Sequence, residues 1–244
     1  MEKNKVLVAA PIGGHKQYSI NTWFQWIANQ DYKNYDIVLC TNGKDQHKLI
    51  PMIQKVEIKD KHGIQRRIRV LMLPDSNDMT FIQKVTFSRE KIRRYAVAEG
   101  YDYLFFLDTD TIPYHKDAIQ HLMNHDKKVI SGLYFYKNSK TTVVIDQDTD
   151  TNITIEKCEA AAKTDQIIEV WGFGFGVLLL HKDVFSSCEF DYELFEEFRT
   201  DDFSYCHVLE QAGIRKWCCP YTLCIHLAKN PESSLLFRGL KAKD

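Results

Sequence analysis

The chain has 244 residues, and its 33 acidic and 32 basic side chains leave a formal charge of −1. That length buries a sizeable core, and so even a charge balance gives no general attraction for polyanions, which argues against nucleic acid as a partner. No apolar run approaches the ~20 residues that a membrane-spanning helix needs, so a soluble protein is expected, a state compatible with peripheral association at a membrane surface.

The N-terminal stretch "MEKNKVLVAA" superficially resembles a secretory leader. Pro11 and the glycines behind it cut the apolar run short, and the segment "KVLVAAP" reads as a first buried strand. "KQYSINTWFQWIANQ" follows with Ile20, Trp23, Phe24 and Ile27 along one helical face. "YDIVLCTNG" and "RRIRVLMLP" read as two further strands, each closed by turn residues. "TFIQKVTFSREKIRRYAVAEG" is a helix that stops at Gly100, and "YDYLFFLD" is a central strand buried on both faces. "KDAIQHLMNH" and "KKVISGLYFY" read as a helix and a strand.

The middle segment from Thr141 to Val170 is rich in Thr, Val and Ile with acidic interruptions, the pattern of a small antiparallel hairpin. "WGFGFGVLLLHKDVF" returns to a buried strand and a short helix, and "RTDDFSYCHVLEQAG" is a helix opened by Thr200, Asp201 and Asp202. A short strand, "KWCCP", and a tail complete the chain. Strands alternating with helices, without a linker, define an α/β fold in a single domain spanning 1–244.

Seven cysteines are an odd number in a chain too large to need disulfide staples, which points to a reducing, cytoplasmic location. Cys206, Cys218, Cys219, Cys224 and His226 contain the right atoms for zinc, but no C-x-x-C knuckle is present, and free cysteine is commonly a small buried apolar residue.

The strand "YDYLFFLD" ends in Asp108-Thr109-Asp110, with Pro113 close behind. Alternation along a strand would point Asp108 and Asp110 the same way, and open α/β sheets gather ligands beyond the carboxyl ends of their strands. Two carboxylates crowded there repel unless a cation or a proton lies between them. Turn-capping aspartates at a solvated strand end are the plain alternative. Asp201 and Asp202 carry a similar ambiguity, because the first turn of a helix favours acids whatever their chemistry.

From residue 80 to 226 the order of motifs resembles the GT-A glycosyltransferases, the family 2-like set in particular. "SREKIRRYAVAEGYDYLFFLDTDTIP" resembles their basic helix, strand and D-x-D; "WGFGFG" resembles the glycine-rich acceptor-side strand; "TDDFSYC" is similar to the T-E-D-x-x-[FY]-C helix; and His226 matches a late metal-binding histidine. The resemblance implies a Rossmann-like mixed central sheet flanked by helices, with 1–115 as the nucleotide-sugar-binding half and 116–244 as the acceptor half.

It further implies a nucleoside-diphosphate sugar donor and Mn2+ (or Mg2+) held by Asp108, Asp110 and His226. Asp202 is the implied base with Asp201 as its neighbour, which goes with inversion, and Pro11, Asn42, Arg89, Arg93, Asp108 and Asp110 are implied donor contacts. The acceptor would be a glycan, lipid or protein hydroxyl. Glu90 departs from the family's usual Arg-Asn and would add a negative charge near the diphosphate. Two rivals share the motif: a haloacid-dehalogenase-like phosphatase, whose D-x-D-x-T loop "DTDTI" matches letter by letter, and a GT-A-like domain that binds nucleotide or glycan without turnover.

Overall fold

The computed structural model describes residues 4–41, 46–74, 78–137, 139–191 and 200–229. Strand β1 (Val6–Ile12) is the apolar N-terminal run, and a 3-10 turn at Gly14–Lys16 separates it from α1 (Ile20–Asn29). Strand β2 (Tyr35–Thr41) is followed by α2 (Gln46–Gln54), the two-residue strands β3 (Ile58–Lys59) and β4 (Gln65–Arg66), and β5 (Ile68–Met72). Helix α3 (Phe81–Ala98) has a capping box: Thr80 Oγ1 accepts from Gln83 N, and the Gln83 side chain accepts from Thr80 N. It stops at Gly100, whose φ of +68° is open to glycine at little cost.

Helix α2 contains Pro51 and has no counterpart in the sequence reading. Nor do β3 and β4, which form a two-stranded antiparallel sheet of their own. A small hairpin that the sequence reading did not expect therefore lies here, before α3.

Strand β6 (Tyr103–Leu107) is fully buried, between β1 on one side in parallel and β11 (Val177–His181) on the other in antiparallel. The strands run β5-β2-β1-β6-β11-β8-β12-β10-β9, where β8 is Val129–Leu133, β9 Val144–Asp146, β10 Ile168–Phe173 and β12 Lys216–His226. The first four are parallel, and the order 5-2-1 reverses direction at the β1–β6 boundary. That reversal opens a crevice beyond the carboxyl ends of β1 and β6. Pro11 and Asp108–Asp110 lie at its two lips. Trp23 Nε1 donates to Leu107 O at 2.9 Å, which pins the end of β6.

The remaining elements are β7 (Thr111–Pro113), α4 (Ala118–Asn124), α5 (Ile155–Lys163), α6 (Lys182–Phe185) and α7 (Asp201–Gln211). Of the hairpin expected over Thr141–Val170 only the first part forms, where Asp146 N donates to Thr151 O at 2.8 Å and Ile153 N to Val144 O at 2.9 Å, and the stretch that follows is helix α5. Thr154 Oγ1 caps it by accepting from Lys157 N at 3.3 Å, and the "EKCEAAAK" run consists largely of strong helix formers. Strands β9 and β10 do pair antiparallel, but α5 lies between them in the chain.

Strand β12 is longer than "KWCCP" suggests. Its pairing with β8 slips between Cys219 and Leu223, a bulge that accommodates Pro220. Gly132 makes the slip possible, since a Cβ there would lie 2.5 Å from Thr222 O. Beyond the bulge β12 pairs with β7, and His226 comes opposite Thr111. Among the described residues no helix is long and apolar enough to cross a membrane. All seven cysteines are free and buried, and the thiols of Cys206, Cys218 and Cys224 turn to backbone carbonyls rather than to one another.

Candidate functional site

A cavity of about 290 Å³ lies at the β1–β6 crevice. Its walls carry Pro11, Arg89, Asp108, Asp201, Asp202 and His226, residues from five separate parts of the chain. Asn42 lies outside the described residues.

The strand ends at Leu107, and Thr111 N closes a turn onto Asp108 O at 2.9 Å. The two aspartates therefore sit in a turn rather than on one strand face, and they face different partners. The Asp110 side chain is 0% exposed. The Lys16 ammonium lies against its Oδ1, while Lys137 Nζ reaches Oδ2 at 2.7 Å, and the Tyr18 hydroxyl reaches the same oxygen at 3.1 Å. Burial alone would raise the Asp110 pKa. Contacts with His226, Lys16 and Lys137 outweigh that and hold the carboxyl well below the usual carboxylate range.

His226 Nδ1 is 3.0 Å from Phe135 O, so Nδ1 carries a hydrogen and donates it to that carbonyl. Its Nε2 faces Asp110 Oδ2 at 3.5 Å. A nitrogen lone pair facing a carboxylate oxygen is unfavourable, so a proton or a cation belongs between them. Asp110 Oδ1 is buried and accepts no well-directed hydrogen bond, although Lys16 lies beside it. An ionised buried carboxylate, one oxygen of which accepts no well-directed hydrogen bond, beside an imidazole fixed by a carbonyl, is a donor set that fits a divalent ion of the manganese or magnesium kind.

Asp108 is held by Arg89 instead, with Nη2 to Oδ1 at 3.3 Å. The Arg89 Nε donates to Asp201 Oδ2 at 2.6 Å. Its guanidinium centre lies 5.4 and 5.0 Å from the ring centroids of Phe106 and Phe175. Burial works against its charge, yet Asp108, Asp201 and Asp202 together keep it firmly protonated. Arg89 thus couples the end of β6 to the head of α7, a role that the sequence reading did not give it.

At that head Thr200 Oγ1 accepts from Phe203 N at 3.2 Å, which leaves both acids of the first turn turned toward the cavity. Asp202 Oδ2 is 3.4 Å from Phe175 N. Burial first, and then the charge of Asp201, push the Asp202 carboxyl well above its ordinary range, against the pull of Arg89.

Arg93 is not at the cavity. Its guanidinium is taken by Glu90 through two bonds of 2.7 Å, by Phe185 O at 2.7 Å and by Glu189 at 2.9 Å. Glu90 also accepts from Arg94 and from Phe190 N. The acid that the sequence placed near a diphosphate is a packing anchor between α3 and the segment after α6.

The alternating glycines of "WGFGFG" have a clear use. A Cβ on Gly174 would lie 2.1 Å from the Tyr134 hydroxyl, and one on Gly176 would lie 2.6 Å from Tyr134 Cζ. They admit the Tyr134 ring, whose hydroxyl accepts from Gly176 N at 3.0 Å. Sequence reasoning missed Lys16, Tyr18, Tyr134 and Lys137. Only the "GGHK" turn after the first strand offers a signal for one of them, glycines followed by a cation at a strand's carboxyl end.

The model of the family described as glycosyltransferase like family 2 matches residues 16–241. No curated protein matches. Among solved structures the fold is similar to A197 from STIV, with 15% identity and a TM-score of 0.51, covering 94% of this chain and 91% of that one. It is also similar to GalNAc-T7 crystallised with UDP, GalNAc and Mn2+ (10% identity, TM-score 0.57, 93% of this chain and 44% of that one). S. aureus TarS is a third likeness, with 11% identity and a TM-score of 0.52, covering 88% of this chain and 34% of that one. This chain therefore spans less than half of the latter two proteins.

Fold and family together define a GT-A glycosyltransferase. The chain belongs to the glycosyltransferase-like family 2.

Proposed function

We propose that the chain transfers a sugar from a nucleoside-diphosphate sugar to an acceptor hydroxyl, with a divalent ion at Asp110 and His226 and with inversion at the anomeric carbon. The observation that carries this reading is that His226 Nε2 faces, at 3.5 Å, the buried and ionised carboxyl of Asp110 just past the end of the central strand. GalNAc-T7, whose fold this chain shares, was crystallised with a nucleotide and Mn2+, which supports the same pairing here.

The ion, when bound, neutralises negative charge that grows on the departing diphosphate. Lys16 and Lys137, one on each oxygen of Asp110, supply further positive charge at the same place, and both side chains are partly exposed. Arg89 fixes Asp108 and Asp201 in one network, which holds the Asp108 carboxylate in one orientation toward the ribose side. Phe81, 60% exposed at the cavity's edge, offers a face on which a nucleobase can stack.

Asp202 takes the proton of the acceptor hydroxyl. Its raised pKa makes it a stronger base than an ordinary carboxylate, closer to the range that general-base catalysis prefers. The proton moves to an Asp202 oxygen as the acceptor oxygen bonds to the anomeric carbon and the diphosphate leaves from the opposite face. The reading includes a cytosolic location, which the seven unpaired cysteines support. The test is a calorimetric titration of nucleoside diphosphates with and without manganese, followed by a transfer assay with the sugar donors that bind. Affinity indifferent to manganese would remove the ion from the reading, and binding without turnover would favour a non-catalytic domain.

A further inference from the structure

We propose that His121, His125, Asp165 and Cys219 form a second metal site, outside the sugar-transfer cavity, that holds zinc(II) with four protein ligands and ties α4, α5 and β12 together. Among the described residues these four have ligand atoms that all lie within 4.8 Å of one another. None of them lines the cavity.

Local structure prepares each ligand. His121 and His125 are four residues apart at the C-terminal end of α4, so they project from one face. Asp165 follows the last turn of α5 with φ +53°, the left-handed position in which a helix commonly ends and which aspartate tolerates. Cys219 lies on β12 at the bulge, with its thiol fully buried. The His121 ring packs on Tyr221 at 4.4 Å between centroids, and Tyr221 stacks in turn on His115 at 4.7 Å.

Three of the ligand-to-ligand spacings, all from His125, match a tetrahedral ion. Zinc bonds of about 2.0–2.3 Å to nitrogen, oxygen and sulfur give ligand-to-ligand edges of roughly 3.3–3.7 Å. His121 Nε2 to His125 Nε2 is 3.4 Å, His125 Nε2 to Cys219 Sγ is 3.6 Å, and His125 Nε2 to Asp165 Oδ1 is 3.7 Å. The His121–Asp165 edge is 2.8 Å, a direct hydrogen bond that would open by about half an ångström around a metal.

Without an ion, the two imidazole nitrogens 3.4 Å apart share a hydrogen that the Asp165 oxygen, 2.8 Å from His121 Nε2, also competes for. A divalent ion would take a lone pair from each of the four groups at once. With Cys219 as thiolate and Asp165 as carboxylate, the charges cancel around zinc, which suits a site with three ligands largely shielded from water. Burial raises the free Cys219 thiol pKa. A bound zinc overrides that by deprotonating its ligand outright, and Thr222 Oγ1, 3.7 Å from the sulfur, donates to it. Side-chain exposure of 50% at Asp165 leaves an entry path.

The full-length chain, stripped with a chelator and dialysed, is titrated with zinc, and in parallel with cobalt(II) followed by absorption. One tight equivalent is expected. The cobalt form should show the strong visible bands of tetrahedral coordination and a sulfur-to-metal charge-transfer band. Cys219→Ser should remove the charge-transfer band. His125→Ala should weaken zinc well beyond the ~10–100-fold that changing an outer partner produces. Asp110→Asn should leave the equivalent in place, which separates this site from the one in the cavity. Zinc should also raise the melting temperature of the wild type and not that of Cys219→Ser. The proposal is overturned if the wild type binds less than a stoichiometric amount, if it binds cobalt without a sulfur band, or if zinc is lost in Asp110→Asn and kept in Cys219→Ser.

Discussion

Two acidic couplets, one at the end of β6 and one at the head of α7, are built from the same side chain and reach opposite states. Asp110 is buried among Lys16, Lys137 and His226 and stays ionised at any ordinary pH. Asp202 is buried beside Asp201, and its carboxyl is pushed up despite Arg89. Burial raises the pKa of both, so the sign of the net shift is decided by the charge of the neighbours. That contrast divides the work of sugar transfer: a permanent anion suits cation and diphosphate binding, and a carboxylate that readily takes a proton suits a base.

The strongest test of this division is Asp110→Ala. It should abolish manganese-dependent binding of the donor nucleotide in a titration, and transfer with it. A melting curve would check that two unpaired lysines have not unfolded the site, and unchanged affinity would break the comparison on the β6 side. Asp202→Asn comes next. Nucleotide affinity should hold while kcat drops about 10²–10⁴-fold; a variant that kept most of its turnover would place the base elsewhere.

Smaller effects sharpen the contrast. Glu90→Gln weakens a pairing that serves packing, so it should cost about 2–3 kcal/mol in denaturant unfolding, somewhat below the cost of breaking a fully buried pair because Arg94 is open to water. Donor affinity should be little changed. Gly174→Ala forces a methyl into the Tyr134 hydroxyl and should cost about 1–3 kcal/mol.

The subtlest prediction concerns pH. Because the folded-state pKa of Asp202 is raised, its proton favours the fold at low pH, and that contribution is lost as pH rises through the folded pKa. The base form becomes available over the same interval, so kcat should climb with pH to a plateau. Asp201→Asn removes the neighbouring negative charge and should move the climb to lower pH. A climb that stayed in place would mean that Asp201 does not set the Asp202 state.

Much of this was legible in the chain. The apolar run into Asp108, the capping box at Thr80 and the acidic start of α7 depend on neighbours within a few residues, and local contacts are what periodicity and capping rules describe. The family pattern singled out Asp108, Asp202 and His226, which line one cavity, and Asp110, which lies just behind its wall with Oδ2 3.5 Å from His226 Nε2. Other inferences failed for local reasons: β-branched residues around Thr141–Val170 masked a helix whose alanine-rich interior outweighed them.

Arg89 and Arg93 show where local reasoning ends. They are one helical turn apart on α3, yet one bridges Asp108 to Asp201 and the other is consumed by Glu90 and Glu189. What the amino-acid order determined by itself is the strongly periodic elements, among them β1, β2, β6, α1, α3 and α7, and the carboxyl end at which chemistry collects, since those follow from short-range sterics and side-chain alternation. The tertiary structure alone decided which charge faces which. Lys16 and Lys137 meet at Asp110, and His121, His125 and Asp165 meet Cys219 of β12, only because strands distant in sequence pair in one particular order.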